Sequence, residues 1–242
     1  MLRGWKDALL DKYPPKYART RSEYGARVGV MTCGDFYASL IGAPEGPHSM
    51  NEWIRAPEEN YALAVNGKVF IDGAGEFTKT REYLLGYYPE DIRLKKIAAN
   101  CMALAQTGQY NHDRTIRRGD WVTFRTVIAR FTESAIAMAF LLSKKYKPYY
   151  KWAFRALQDL QLSGGEISRL LLKIAENVGL DDKSFSKLNQ CISELCDIFI
   201  RELKAQGLSN SDDSFLASHG EEVQSKIEDG FLRSLPTQYD IK

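Results

Sequence analysis

The sequence predicts an α+β fold that is predominantly α-helical: a short strand remnant on the N-terminal side, followed by an antiparallel helix bundle. Three observations lead there. Two short runs rich in β-branched residues, "RVGVMT" (27–32) and "KVFID" (68–72), each end at a Gly-containing turn. From Pro89 onward the apolar residues recur at helical spacing. The later helical segments are joined by short polar connections, the pattern of antiparallel neighbours. The chain accordingly divides into a mixed α/β segment, residues 1–88, and a helical bundle, residues 89–242.

In chain order, "RVGVMT" reads as a strand and "DFYASLIG" as a short helix with Gly42 as its C-cap. "APEGPHS" is a loop, and "PEENYALAVNG" is a helix closing at Asn66 and Gly67. "KVFID" is the second strand, "GAGE" its turn, and "EFTKTREYLLG" the next helix. "PEDIRLKKIAANCMALAQTGQ" places Ile92, Ile97, Met102 and Leu104 on broad apolar faces, with Pro89 at its start and Gly108 marking its weakening. A long helix from about Asp120 to Ser143 is apolar almost all round. Its polar stripe of Thr123, Thr126, Arg130 and Glu133 or Ser134 lines a wet cleft or holds an Arg130–Glu133 pair.

In "YKPYYKWAFRAL" (146–157), Pro148 reads as the first helical residue. Tyr149, Trp152 or Ala153, Ala156 and Leu160 form its core stripe, while Lys147, Lys151 and Arg155 share a separate face that can reach a ligand. Three further helices follow: "EISRLLLKIAENVGL", "DKSFSKLNQCISELCDIFIRELKAQGL" and "EEVQSKIEDGFLRSL". The middle one carries Phe185, Leu188, Ile192, Leu195, Phe199 and Leu203 on one stripe.

Composition excludes several function classes. The longest nearly apolar run, "SAIAMAFLL", is about half the ~20 residues a bilayer span requires. No signal-peptide pattern opens the chain, so a cytoplasmic location and no membrane partner are expected. The four cysteines lack metal-ligand spacing, and no metal site is expected. No phosphate-binding Gly-rich loop, HExxH or GxSxG occurs, and no two acids have a single residue between them. Charge is segregated: residues 114–155 hold ten Lys or Arg against two acids, and residues 156–242 hold nine against fifteen. That basic middle faces either an anionic ligand or the acidic C-terminal third. A modest pI near 8.2 makes nucleic acid an unlikely partner.

The densest polar constellation is "QTGQYNHDRTIRRGD" (106–120). Gln109, Tyr110, Asn111 and His112 supply recognition groups, and Arg114, Arg117 and Arg118 have the forked geometry to clamp phosphate or carboxylate. Gln109, Tyr110, Asn111, His112, Arg114 and Arg118, with Arg130 and Lys151, are the candidate substrate-binding residues. The plainer reading is a helix-to-helix junction in which Asp113 or Asp120 caps the next helix.

"RVGVMTCGDFY", "NGKVFIDGAGEFTKTRE", "YYPEDIRLKKIAANCMALAQTGQYNHDRTIRRGD" and "LLSKKYKPYYKWAFRAL" together resemble a domain of uncharacterised function. In a family of bacterial cytoplasmic proteins, that domain follows a nucleotidyltransferase-like module of the DNA polymerase beta type. The resemblance covers residues 27–157 and implies a helical domain that frames the acceptor substrate. The family's Gly-Ser and paired-aspartate segments have no counterpart here and are expected upstream of Met1, so the resemblance implies the C-terminal portion, or a product starting late, that is inactive alone. Asp72 is the one candidate third carboxylate, with turn chemistry as its alternative. The family has Asn where this chain has Ser143. No cofactor is expected from this chain alone, whereas Mg²⁺ and a nucleoside triphosphate would accompany a catalytic module. The expected partner is a nucleotide or small-molecule acceptor. The alternative is a protein-protein interaction or self-association module that joins the basic middle to the acidic C-terminal third, giving a homo-oligomer.

Overall fold

The computed structural model describes residues 31–177 and 179–241, and every regular element among them is helical. In chain order these are α1 (Cys33–Ile41), α2 (Met50–Trp53), α3 (Glu58–Val65), α4 (Glu76–Leu85) and α5 (Glu90–Leu104). A π-helical segment (Ala105–Asn111) continues α5 into α6 (His112–Arg117). Then come α7 (Trp121–Leu142), α8 (Tyr150–Leu157), α9 (Gly164–Glu176), α10 (Asp182–Ala205), α11 (Leu216–Ser225) and α12 (Gly230–Ser234).

The expected α+β class is thus corrected to all-α among the described residues. "KVFID" forms no strand. A strand needs a neighbour to complete its hydrogen-bond ladder, and the segment instead loops between α3 and α4. Its Phe70 and Ile71 are 86% and 93% exposed. The loop is pinned at its ends, where Arg81 Nη2 donates to the Val65 and Gly67 carbonyls and Asp72 Oδ2 accepts from the Thr78 amide. Of "RVGVMT", residues 27–30 lie outside the described residues. Its Thr32 is the N-cap of α1, the hydroxyl accepting from Asp35 N at 3.0 Å.

Helix α5 is the centre of the fold, packed against α7, α11 and α12. Residues 92–101 are buried without a break. Because this includes Arg93, Lys95 and Lys96, the helix brings three cations inside. Each finds carbonyl or amide oxygens. Arg93 Nε donates to the Leu141 carbonyl at the end of α7, with further bonds to Glu90 and Gln206. Lys95 reaches Gln224 and the carbonyls of Pro236 and Thr237, and Lys96 reaches the Ile241 carbonyl at 2.8 Å.

A second nucleus is aromatic. Trp53, Tyr61, Tyr88 and Tyr146 stack or meet edge-on with centroids 5.0–5.6 Å apart, joining α2 and α3 to the loop after α7. Tyr87 beside them holds φ at 76°, a strained value for a bulky residue. Contacts at 4.9 Å to both Tyr88 and Tyr146 keep it there.

Two other expectations shift. "EEVQSKIEDGFLRSL" is not one helix, because Asp91 takes the amides of Glu228 and Asp229 and Asp229 then caps α12 through Leu232 N. The weakening at Gly108 is the π-helical segment, which inserts an extra residue into the turn. A Cβ at Gly108 would stand 2.3 Å from the Phe131 ring of α7, and one at Gly220 of α11 would stand 2.9 Å from Cys101 Cβ of α5. Both glycines set how closely helices approach. Gly108→Ala is therefore expected to cost ~1–3 kcal/mol of unfolding free energy in urea titrations, as an overpacked core does.

Candidate functional site, an aromatic and cationic cleft

Helix α7 ends where its last carbonyls are taken by side chains, Leu141 O by Arg93 and Leu142 O by Gln206 Nε2. The chain then turns through Lys144, in the left-handed region at φ 49°. Tyr146 plunges into the aromatic nucleus, its hydroxyl donating to the Leu84 carbonyl at 2.8 Å, and the Lys147 amide donates to Glu58 Oε1 at 2.8 Å. Anchored from beneath, the loop holds Lys144 and Lys145 outward.

Between α3 and α8 this leaves a cleft of about 580 Å³, within the range of small-molecule sites. Its cations are Lys144, Lys145 and Arg155, its carboxylates Glu59 and Asp159, and its aromatic walls Tyr87, Tyr149 and Trp152. Trp152 is 60% and Tyr149 44% exposed. The expected core stripe is corrected accordingly: α8 is short and buries only Ala153 and Leu157, which leaves its large rings on the cleft side. Pro148 also precedes the helix instead of starting it. The Tyr87 hydroxyl is buried with no hydrogen-bond partner among the described residues, and burial raises its pKa well above the ordinary value. It is an unspent donor in the cleft wall. Across Lys144 and Lys145 lies a second hollow, bordered by Glu90, Arg93, Ser143 and Gln206, where the Ser143 hydroxyl is likewise buried and unpartnered.

Of the cationic face read on α8, Arg155 lines this cleft, whereas the candidate substrate-binding residues lie elsewhere. Gln109 ties the π-helical segment to the turn before α11, its amide donating to Ser214 O and accepting from Leu216 N. Asn111 meets Gln106 at 3.5 Å. The Arg114 guanidinium lies over the Tyr110 ring at 4.7 Å, Arg117 pairs with Asp113, and Arg118 is exposed. Asp120 caps α7 through Thr123 N. This group sits at the start of α7 and the cleft at its end, about 30 Å apart by the rise of a 22-residue helix. Arg130 is exposed midway along α7, and Lys151 is exposed on α8 without lining the cleft. Asp72 is engaged with Thr78, which holds its pKa below the ordinary carboxylate value. The polar stripe of α7 divides: Thr126 bonds back to the Val122 carbonyl, while Glu133 and Ser134 border a polar cavity.

Residues 53–153 match a domain of unknown function, DUF4037. No curated protein and no solved structure gives a match. The DUF4037 match spans the aromatic nucleus, α5, α7, Lys144, Lys145 and Trp152, and stops just short of Arg155. Sequence reasoning passed over Tyr87, Lys144 and Lys145. The signal available was the pairing of "YYP" with "KKYKP", two aromatic-proline turns that the fold packs together.

His112 is buried; Nε2 donates to Asn189 Oδ1 at 2.8 Å while Nδ1 has no partner among the described residues. Burial lowers its pKa below 6.5, with the Asn189 bond opposing. A depressed folded pKa means that this residue's contribution is fully present above about pH 6.5 and is lost as pH falls. His112→Gln should therefore flatten the acid side of a stability–pH curve, measured by urea unfolding between pH 7 and 5.

Proposed function

We propose that this chain is the substrate-framing portion of a nucleotidyltransferase-like protein, holding a nucleotide or small anionic acceptor for transfer by a catalytic module. The observation that carries the reading is the cleft, where three cations and two exposed aromatic rings converge on about 580 Å³. An aromatic ring of the ligand stacks on Trp152 or Tyr149, which is favourable by about 1–3 kcal/mol per base. Lys144, Lys145 and Arg155 neutralise its phosphate or carboxylate, Arg155 with a planar fork and the lysines as point charges. Mg²⁺ and the nucleoside triphosphate would enter with the catalytic module. The family resemblance supplies the nucleotidyl-transfer part of the reading and the cleft supports its binding part.

An interaction module remains the second reading. It draws on the charge segregation of the chain, basic over residues 114–155 and acidic over 156–242, with Arg118 exposed at the other end of α7. Light scattering across salt concentrations separates the two, because charge-driven assembly weakens as screening shortens.

The test uses intrinsic tryptophan fluorescence with ATP and AMP as probes. Saturable quenching is expected in the intact chain. It should be lost in Trp152→Ala, and affinity should fall at least tenfold, about 1.4 kcal/mol, in Lys145→Ala plus Arg155→Ala. Because these side chains are exposed, melting temperatures should hold, with stability changing by less than ~0.5 kcal/mol. Unsaturable or unchanged titrations would remove the cleft from consideration.

A further inference from the structure

A separate cavity of about 230 Å³ opens where five parts of the chain meet. Glu58 comes from the start of α3, Lys96 and Asn100 from α5, Glu133 and Ser134 from α7, Lys147 from the loop before α8, and Asp240 from the C-terminal segment. Three of these polar residues are deeply buried: Glu58 is 8%, Lys96 5% and Asn100 9% exposed.

Their hydrogen bonds run along the walls and leave the interior unserved. Glu58 Oε1 accepts from the Lys147 amide, Lys96 Nζ donates to the Ile241 carbonyl, and Asn100 Nδ2 donates to the Lys96 carbonyl. Among the described residues, no ion pair within 4 Å joins Glu58, Glu133 or Asp240 to Lys96 or Lys147. Opposite charges therefore face one another across the cavity without touching. Among the described residues no hydrogen bond engages Glu58 Oε2 or the Asn100 carbonyl oxygen, and the Lys96 ammonium, beyond its bond to Ile241, lies over the Tyr88 ring at 5.6 Å.

Buried charges are expensive unless paired and hydrogen-bonded. The cost shows in the carboxyls. Burial raises the pKa of both Glu58 and Asp240, outweighing the pull of Lys96 and Lys147. A guest that carries both signs would complete each side at once. An anion alone would meet the carboxylates, and a cation alone would meet the lysines. No cluster of three His, Cys, Asp or Glu positioned for a metal ion occurs among the described residues. The volume equals that of about eight liquid waters at ~30 Å³ each, which is the size of a free amino acid.

We propose that this cavity binds a zwitterion of amino-acid size, its ammonium held by Glu58, Asp240 and the Asn100 carbonyl oxygen and its carboxylate held by Lys96 and Lys147. Glu133 and Ser134 form the rim through which it enters. The site is independent of the aromatic cleft, and either can stand without the other.

Isothermal titration calorimetry and thermal shift on the full chain test it, with alanine, serine, glutamine and lysine as probes at up to 10 mM. Acetate and methylammonium, alone and mixed, are the divided-charge controls. At least one amino acid should give a saturable heat and raise Tm, and the controls should not. Glu58→Gln should weaken that binding at least tenfold. Since Glu58 also anchors a loop, Ser134→Leu is the second variant; it fills the rim without touching a charge and should abolish binding with its far-ultraviolet circular dichroism spectrum intact. Absence of saturable heat from all four amino acids in the folded wild type would overturn the proposal. So would equal binding of methylammonium, or undiminished binding in the folded Ser134→Leu variant. Failure of ATP and AMP to bind, with amino-acid binding retained, would remove the cleft reading alone.

Discussion

The fold depends on one constraint: a helix with no exposed stretch between residues 92 and 101 carries three cations into the interior. Each is almost wholly withdrawn from solvent, so each is met by oxygen, and most of those oxygens come from distant parts of the chain. Arg93 takes the end of α7 and the residue after α10, Lys95 takes the segment after α12, and Lys96 takes Ile241. Hydrogen bonds to a charged group contribute about 1.5–3 kcal/mol each, and leaving such a donor bare costs more. The cations therefore dictate where four other segments lie. Burial also draws the Lys95 pKa below its ordinary value, a measure of how far it sits from solvent.

The loop at 143–149 inherits its position from that arrangement. Arg93 and Gln206 fix the end of α7, and Tyr146 fixes the loop from beneath. The same short segment then supplies Lys144 and Lys145 to the aromatic cleft and Lys147 to the polar cavity. Strain at Tyr87, ~1–3 kcal/mol for such backbone, is held by the aromatic packing that seats Tyr146.

Much of the helical layout was legible in the sequence. Helices near 33–41, 58–65, 76–85 and 182–205 stand where their caps and apolar stripes place them, and Asp120 caps α7. The strand reading of "KVFID" failed because β-branched composition says nothing about whether a partner strand exists. "RLKK" within α5 reads as a solvated face, and no local pattern reveals that carbonyls more than a hundred residues away will receive it. Trp152 and Tyr149 were placed in the core because apolar spacing on an eight-residue helix fits two faces equally well. The basic middle of the chain was visible as a composition, yet its cations split between the two ends of α7. Spatial grouping along one helix is what linear charge counts cannot resolve.

The Lys95 and Lys96 bonds span 129 to 145 residues of sequence. During synthesis, α5 leaves the ribosome long before the carbonyls that will neutralise it exist. Loop-closure entropy rises only slowly with such separations, so the delay is one of order more than of energy. Contacts of α5 with α7 need only residues up to 142, whereas the oxygens that meet Lys95 and Lys96 lie at 224–241, so the most deeply buried charges are answered by the last part of the chain to be made.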